Sequence, residues 1–152
     1  AIAVVLIGVV VALLFRGIKS GVMVVVPLAL AITTLIGLMG IFGIEMNTVT
    51  AMLTSIMIGV GVDYTIHYLA AYRRATAAGD VPRVAVVTAL TGSGRAIIFN
   101  GLSVMVGFAV LLLSGFLPIQ FFGFLVVVSI ASCLYTALVL LPSIILSFRR
   151  TT

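Results

Sequence analysis

Five apolar runs, 1–15, 22–42, 48–72, 97–117 and 119–148, account for most of the chain and are parted only at charged or Gly/Pro-bearing positions. A helix that crosses a bilayer needs roughly 20 apolar residues, about 17–25 in practice. The three middle runs fit that window, and the last is long enough for a tilted span with an interfacial extension. Inside lipid every backbone N–H and C=O must be satisfied within the element or by a packed neighbour, so runs like these specify helices. Composition agrees: 64% of residues are apolar and 7% are charged, with a mean hydropathy of +1.48. Soluble domains are about a quarter charged. Eight Lys/Arg and three Asp/Glu cannot cover a soluble fold of 152 residues with a polar exterior. The expected fold is an all-α membrane protein, a five-span transmembrane helix bundle forming a single domain over 1–152.

The first run is too short to span. The chain opens on Ala1 rather than Met and lacks the charged start and cleavage site of a signal peptide. It reads as a clipped span, and the chain as a fragment.

The positive charges give the orientation. Arg16 and Lys19 separate runs one and two; Arg73, Arg74, Arg83 and Arg95 separate runs three and four; Arg149 and Arg150 follow run five. With five spans these places share one side, and the other two connections carry Glu45 and no cation. The positive-inside rule makes the cation-bearing side cytoplasmic, so the N-terminus is expected outside and the C-terminus inside. The net charge of +5 therefore belongs to a membrane face rather than to nucleic-acid binding. Between Arg73 and Arg95, Asp80 can cap a helix with Pro82 in its first turn. Val81, Val84, Ala85 and Thr88 then recur at helical spacing up to Gly92-Ser93-Gly94. The pattern predicts a short amphipathic helix over 81–92 lying at the interface.

Run three holds the most informative stretch, Gly59-Val60-Gly61-Val62-Asp63-Tyr64-Thr65-Ile66-His67. A carboxylate near the centre of a span costs about 2.5–3.5 kcal/mol on insertion scales, and such residues usually mark ion or proton pathways. Ser55, Gly59, Asp63 and His67 recur every fourth residue and share one helix face. Gly59 removes bulk one turn from the carboxylate, giving room to a second helix or to water. A carboxylic acid in apolar surroundings resists ionisation, so it can take up a proton on one side and release it on the other. The structural alternative is a hydrogen-bond partner that holds helices together. His67 lies one turn nearer the cation-bearing side; it either relays protons or only hydrogen-bonds Asp63 or a backbone carbonyl. Tyr64 projects about 100° from Asp63, to serve a neighbouring helix or simply to pack.

Run four carries a matching polar stripe of Asn100, Ser103, Gly107 and Ser114. Asn100 is unfavourable in lipid and is expected to face inward, as the candidate hydrogen-bond partner of Asp63. Gly101 and Gly107 read as close-packing positions. Ser129, Ser132 and Thr136 read as packing groups on run five, and Phe116, Phe121 and Phe122 as lining of the outer boundary. Pro27 and Pro142 fall near helix ends, where kinks are tolerated.

Other chemistries fail on inventory. An intramembrane aspartyl protease needs two embedded aspartates, and Asp80 is in a connection. Cys133 and His67 are each alone in their residue type, too few for a zinc site or a disulfide framework. No glycine-lysine phosphate loop is present, and no serine has a His–Asp partner set. The chain is expected not to be an enzyme, and to need no cofactor beyond a proton gradient.

The run 59–68, followed by Tyr72-Arg73-Arg74, resembles the fourth span of a half-repeat in the resistance–nodulation–division (RND) superfamily, in its MMPL/sterol-sensing-domain-like branch. Gly59 and Asp63 match its Gly-x-x-x-Asp motif, and Asp63-Tyr64 its Asp-Tyr pair. The stretch 94–100, Gly107-Phe108, 118–123 and the ending Leu141-Pro142 are similar to that branch too. The resemblance covers essentially the whole chain, as spans two to six of an RND/MMPL transmembrane half. It implies a secondary transporter with two six-span halves, each with an extracytoplasmic domain after its first span. It also implies a bacterial or archaeal cytoplasmic (inner) membrane and export of lipids or other hydrophobic cargo driven by proton flow. Asp63 would be the proton carrier, Tyr64 its partner across the two halves and Asn100 a supporting polar group. Partners would be membrane lipids, the other half, the extracytoplasmic domains and the cargo. A rival reading is a sterol-sensing-like lipid-binding module without coupled transport, favoured by a lateral apolar groove and a permanently hydrogen-bonded, buried Asp63. A purely structural subunit would tolerate Asp63→Asn.

Overall fold

The computed structural model describes residues 18–45 and 47–148. Among them four helical rods follow one another and no strand occurs: α1 (Ile18–Ile41), α2 (Thr48–Ala77), α3 (Pro82–Leu113) and α4 (117–148). The run 1–15, with Arg16 and the closing Arg149 and Arg150, lies outside the described residues. The other four expected spans are helices. Two, Pro82–Leu113 and Leu117–Ser147, are long and apolar enough to cross a membrane, and a shorter apolar stretch covers Val25–Ile41.

Each connection is short, so sequential helices reverse direction. α1 ends where Gly43 adopts φ 62°, with Ile44 N–H donating to Met39 O at 2.9 Å and Gly43 N–H to Gly40 O at 3.4 Å. α2 ends the same way at Gly79 (φ 100°), Asp80 N–H reaching Ala75 O and Gly79 N–H reaching Thr76 O, both at 3.2 Å. These are paired C-terminal caps in which only glycine takes the left-handed turn without strain. α2 starts on a reciprocal cap: Asn47 Oδ1 accepts from Thr50 N–H at 3.0 Å, and Thr50 Oγ1 accepts from Asn47 N–H at 2.8 Å.

That geometry corrects the reading of 81–92. Asp80 closes the cap of α2, so it does not cap the next helix; Val81 stands at that N-cap without a side-chain bond, followed by Pro82. Asp80 Oδ2 instead accepts from Thr88 Oγ1 at 3.4 Å. The buried face is Ala85, Val86 and Ala89, while Val81, Val84 and Thr88 are exposed. Nor does Gly92-Ser93-Gly94 end the helix. The segment Pro82–Ala89 runs through a π turn at Leu90–Gly94 into Arg95–Ala109, and then into a closing 3₁₀ turn, Val110–Leu113. Neither glycine has a positive φ that would turn the chain out of the helix. Arg95 therefore lies inside a continuous helix rather than in a connection. α4 holds a second π turn at Thr136–Leu140, which ends two residues before Pro142, whose ring would clash with the carbonyl four residues back in a regular helix.

α4 is the central rod, packed against α1, α2 and α3, and α2 packs on α1 and on the 82–94 stretch of α3. The interior is filled by Leu28, Leu35, Leu53, Tyr64, Tyr68, Leu69, Leu125, Val126 and Leu141, all at most 2% exposed. Outward-facing residues such as Ile41, Phe99, Val106 and Leu113 are apolar as well, as expected where the solvent is hydrocarbon. Glycines set the tightest contacts. A Cβ on Gly101 would lie 2.6 Å from Leu134 Cδ1, one on Gly61 3.2 Å from Cys133 Sγ, and one on Gly123 2.8 Å from Leu111 Cβ. Gly107, expected to pack closely too, has nothing within 4 Å.

Candidate functional site

Asp63 and His67 sit in the middle of α2, one turn apart, so the helix itself brings their side chains together. His67 Nε2 stands 3.2 Å from Asp63 Oδ1, an ion pair when the imidazole is protonated. Their side chains are 63% (His67) and 57% (Asp63) exposed. They look out of this bundle rather than into it. Both open onto a cleft of about 200 Å³ between α2 and α3, lined also by Tyr64, Ser93, Ala96, Ile97 and Asn100. The π turn supplies Ser93, a residue the sequence reading had placed in a break.

The rest of the expected stripe follows the same outward face. Ser55 and Gly59 on α2 are exposed, as are Asn100, Ser103 and Gly107 on α3. Ser55 and Ser103 hydroxyls donate to their own helix, to Ala51 O at 3.5 Å and Phe99 O at 2.8 Å. A Cβ on Gly59 would meet nothing within 4 Å, so Gly59 does not serve packing inside this chain. Asn100 shares the cleft with Asp63, but the group in polar contact with Asp63 is His67, as an ion pair when protonated. The expectation that Asn100 faces the chain's own interior is corrected: it is exposed. On α4, Thr136 Oγ1 donates within its own helix, to Ser132 O at 2.9 Å and Cys133 O at 3.0 Å, rather than across helices.

Tyr64 departs furthest from expectation. It is 1% exposed and turned into the bundle, with no hydrogen-bond partner for its hydroxyl. A partner across two halves would have to be reached from the surface, where this hydroxyl is not. Tyr68 and Tyr72 continue the same inward row, their hydroxyls equally without partners. The sequence reading missed this row, although three tyrosines at four-residue spacing were its visible signal. Among the described residues no group of three or more His, Cys, Asp or Glu comes together to hold a metal.

A membrane bundle with a carboxylate–imidazole pair in mid-helix and a cleft beside it is the setting for comparison with known proteins. Residues 1–151 match the model of the MMPL family. The chain belongs to the MMPL family. Among its relatives, a Methanocaldococcus jannaschii protein named as a membrane protein, MJ1562, is 30% identical over 147 residues, covering 95% of this chain and 38% of that protein. The heme uptake protein MmpL11 of Mycobacterium tuberculosis H37Rv is 28% identical over 131 residues, 82% of this chain and 14% of its own length. MmpL11 of Mycobacterium leprae, named as a transport protein, is 26% identical over 131 residues, 82% of this chain and 13% of its own length. The chain thus spans well under half of each relative. No solved structure matches it.

Proposed function

We propose that this chain forms the proton-coupling part of an MMPL-type secondary transporter, in which Asp63 binds and releases the driving proton. The observation that carries the reading is the Asp63–His67 pair, 3.2 Å apart in mid-helix and open to a cleft that also holds Asn100 and Ser93. An ionisable pair is costly inside a membrane, and this one faces away from the bundle, so its worth lies in what approaches it. In the neutral state Asp63 and Asn100 tolerate apolar surroundings; in the charged state His67 offsets the carboxylate. Alternation between these states changes the affinity of the face for a neighbouring element, and that difference can drive a conformational cycle.

The partner we assign to that face is the rest of the transporter, including a second transmembrane half and extracytoplasmic domains. The cargo is a lipid or another hydrophobic compound. The name of the tuberculosis relative adds heme to that class, itself a largely hydrophobic ring. The membrane is a bacterial or archaeal cytoplasmic one, with the Arg73/Arg74 end inside. The rival lipid-binding module needs a buried Asp63 held by a permanent hydrogen bond, and a side chain 57% exposed speaks against it.

The test is export by the full-length transporter with Asp63→Asn, which keeps the size and hydrogen bonding of the side chain and removes its titration. Loss of export at normal membrane level supports the carrier. Unchanged export overturns it and moves the lipid-binding reading ahead.

A further inference from the structure

Tyr64, Tyr68 and Tyr72 are 1%, 0% and 7% exposed, and no hydrogen-bond partner is present for any of their hydroxyls. Ser129 on α4, 2% exposed, is in the same state. Buried hydroxyls are almost always paired, because leaving water without a replacement bond costs free energy. Four unpartnered groups in one small bundle therefore call for a common cause.

Their placement supplies one. The three tyrosines recur every fourth residue, so they form one row on the inner face of α2, each advanced about 6 Å along the axis. Helical side chains lean toward the N-terminal end, so each phenol reaches over the turn that carries the next tyrosine. The row starts near the Arg73/Arg74 end and rises to mid-helix. There Gly61 packs against Cys133 of α4, and Ser129 lies one turn beyond Cys133, continuing the line. Tyr64 belongs to both environments: its hydroxyl is in the buried row, and the residue lines the cleft that holds Asp63.

We infer that the Tyr72, Tyr68 and Tyr64 hydroxyls, extended by Ser129, form a hydrated file that carries protons between the Arg-bearing end of the bundle and the Asp63 cleft. The inference rests on Asp63 being the proton carrier. Each phenol oxygen accepts a proton from a bridging water and passes its own onward, so every tyrosine ends neutral. A proton released by the Asp63 carboxyl group passes through water beside Tyr64 and along the row to bulk water at Tyr72. No oxidant, metal or further reactant enters. His67 remains an exposed partner of Asp63, outside the file.

Tyr68→Phe removes one oxygen from the middle of the file and leaves the ring in place. The full-length transporter would be reconstituted in liposomes with a pH-sensitive dye, and proton uptake compared among wild type, Tyr68→Phe and Asp63→Asn. The file predicts that Tyr68→Phe folds normally and that uptake slows by about tenfold or more, as for loss of a proton-transfer group. Wild-type uptake in Tyr68→Phe, with uptake abolished in Asp63→Asn, overturns the file and leaves the carrier standing. Wild-type uptake in Asp63→Asn overturns the carrier, and with it the release from Asp63 into the file. Hydration is read independently of either by the infrared difference spectrum, wild type minus Tyr68→Phe, after transfer to D₂O. Phenolic exchange within seconds is expected, and protection for hours means a dry row and overturns the file.

Discussion

Gly123 of α4 lies so close to α3 that a methyl group in its place would stand 3.0 Å from the carbonyl oxygen of Phe108 and 2.8 Å from Leu111 Cβ. Both neighbours are held by the helix they belong to, so neither can swing aside. Gly123→Ala is therefore expected to destabilise the bundle by about 1–3 kcal/mol, the usual cost of overpacking. Gly59→Ala is the control: its methyl would meet nothing within 4 Å, and stability should stay within about 1 kcal/mol of wild type. Thermal unfolding in one detergent decides both. An unchanged Gly123→Ala protein would mean that α3 and α4 can separate at this point without loss.

The cap at the start of α2 should be measurable on its own. Asn47→Ala removes the acceptor of the 3.0 Å bond from Thr50 N–H and is expected to cost about 1 kcal/mol, within a range of about 0.5–2. The same unfolding experiment reads it. A loss near zero would show that water replaces the cap at this exposed end.

His67 has two roles open to it that a single variant separates. Its pair with Asp63 is more than half exposed, so His67→Gln should change stability by no more than about 1 kcal/mol. Glutamine can still hydrogen-bond Asp63, but it cannot shuttle a proton. A fall in export with unchanged unfolding assigns relay to His67. Export equal to wild type leaves it as a hydrogen-bond donor alone.

Much of this architecture was readable without coordinates. Runs of spanning length with few charges can only be helices in lipid, and the grouping of Ser55, Gly59, Asp63 and His67 follows from spacing along one helix. Such features are local, and helix geometry fixes them before any packing takes place. The Asp63–His67 contact is of that kind.

Tertiary structure decided which way each face turns. Apart from its Asp63 stripe α2 is apolar around most of its girth, so no contrast in the sequence says which side meets α4. Packing resolved it: Gly61 admits Cys133, the tyrosine row goes inside, and the Asp63 stripe is left facing out. The continuity of α3 was equally hidden. Gly92-Ser93-Gly94 has the composition of a break, yet in the bundle a π turn carries the helix through it and brings Ser93 into the cleft that holds Asp63. The sequence by itself determined helices and their internal spacing, because these depend on neighbours along the chain. Facing and continuity depended on neighbours across it, and only the assembled bundle contains those.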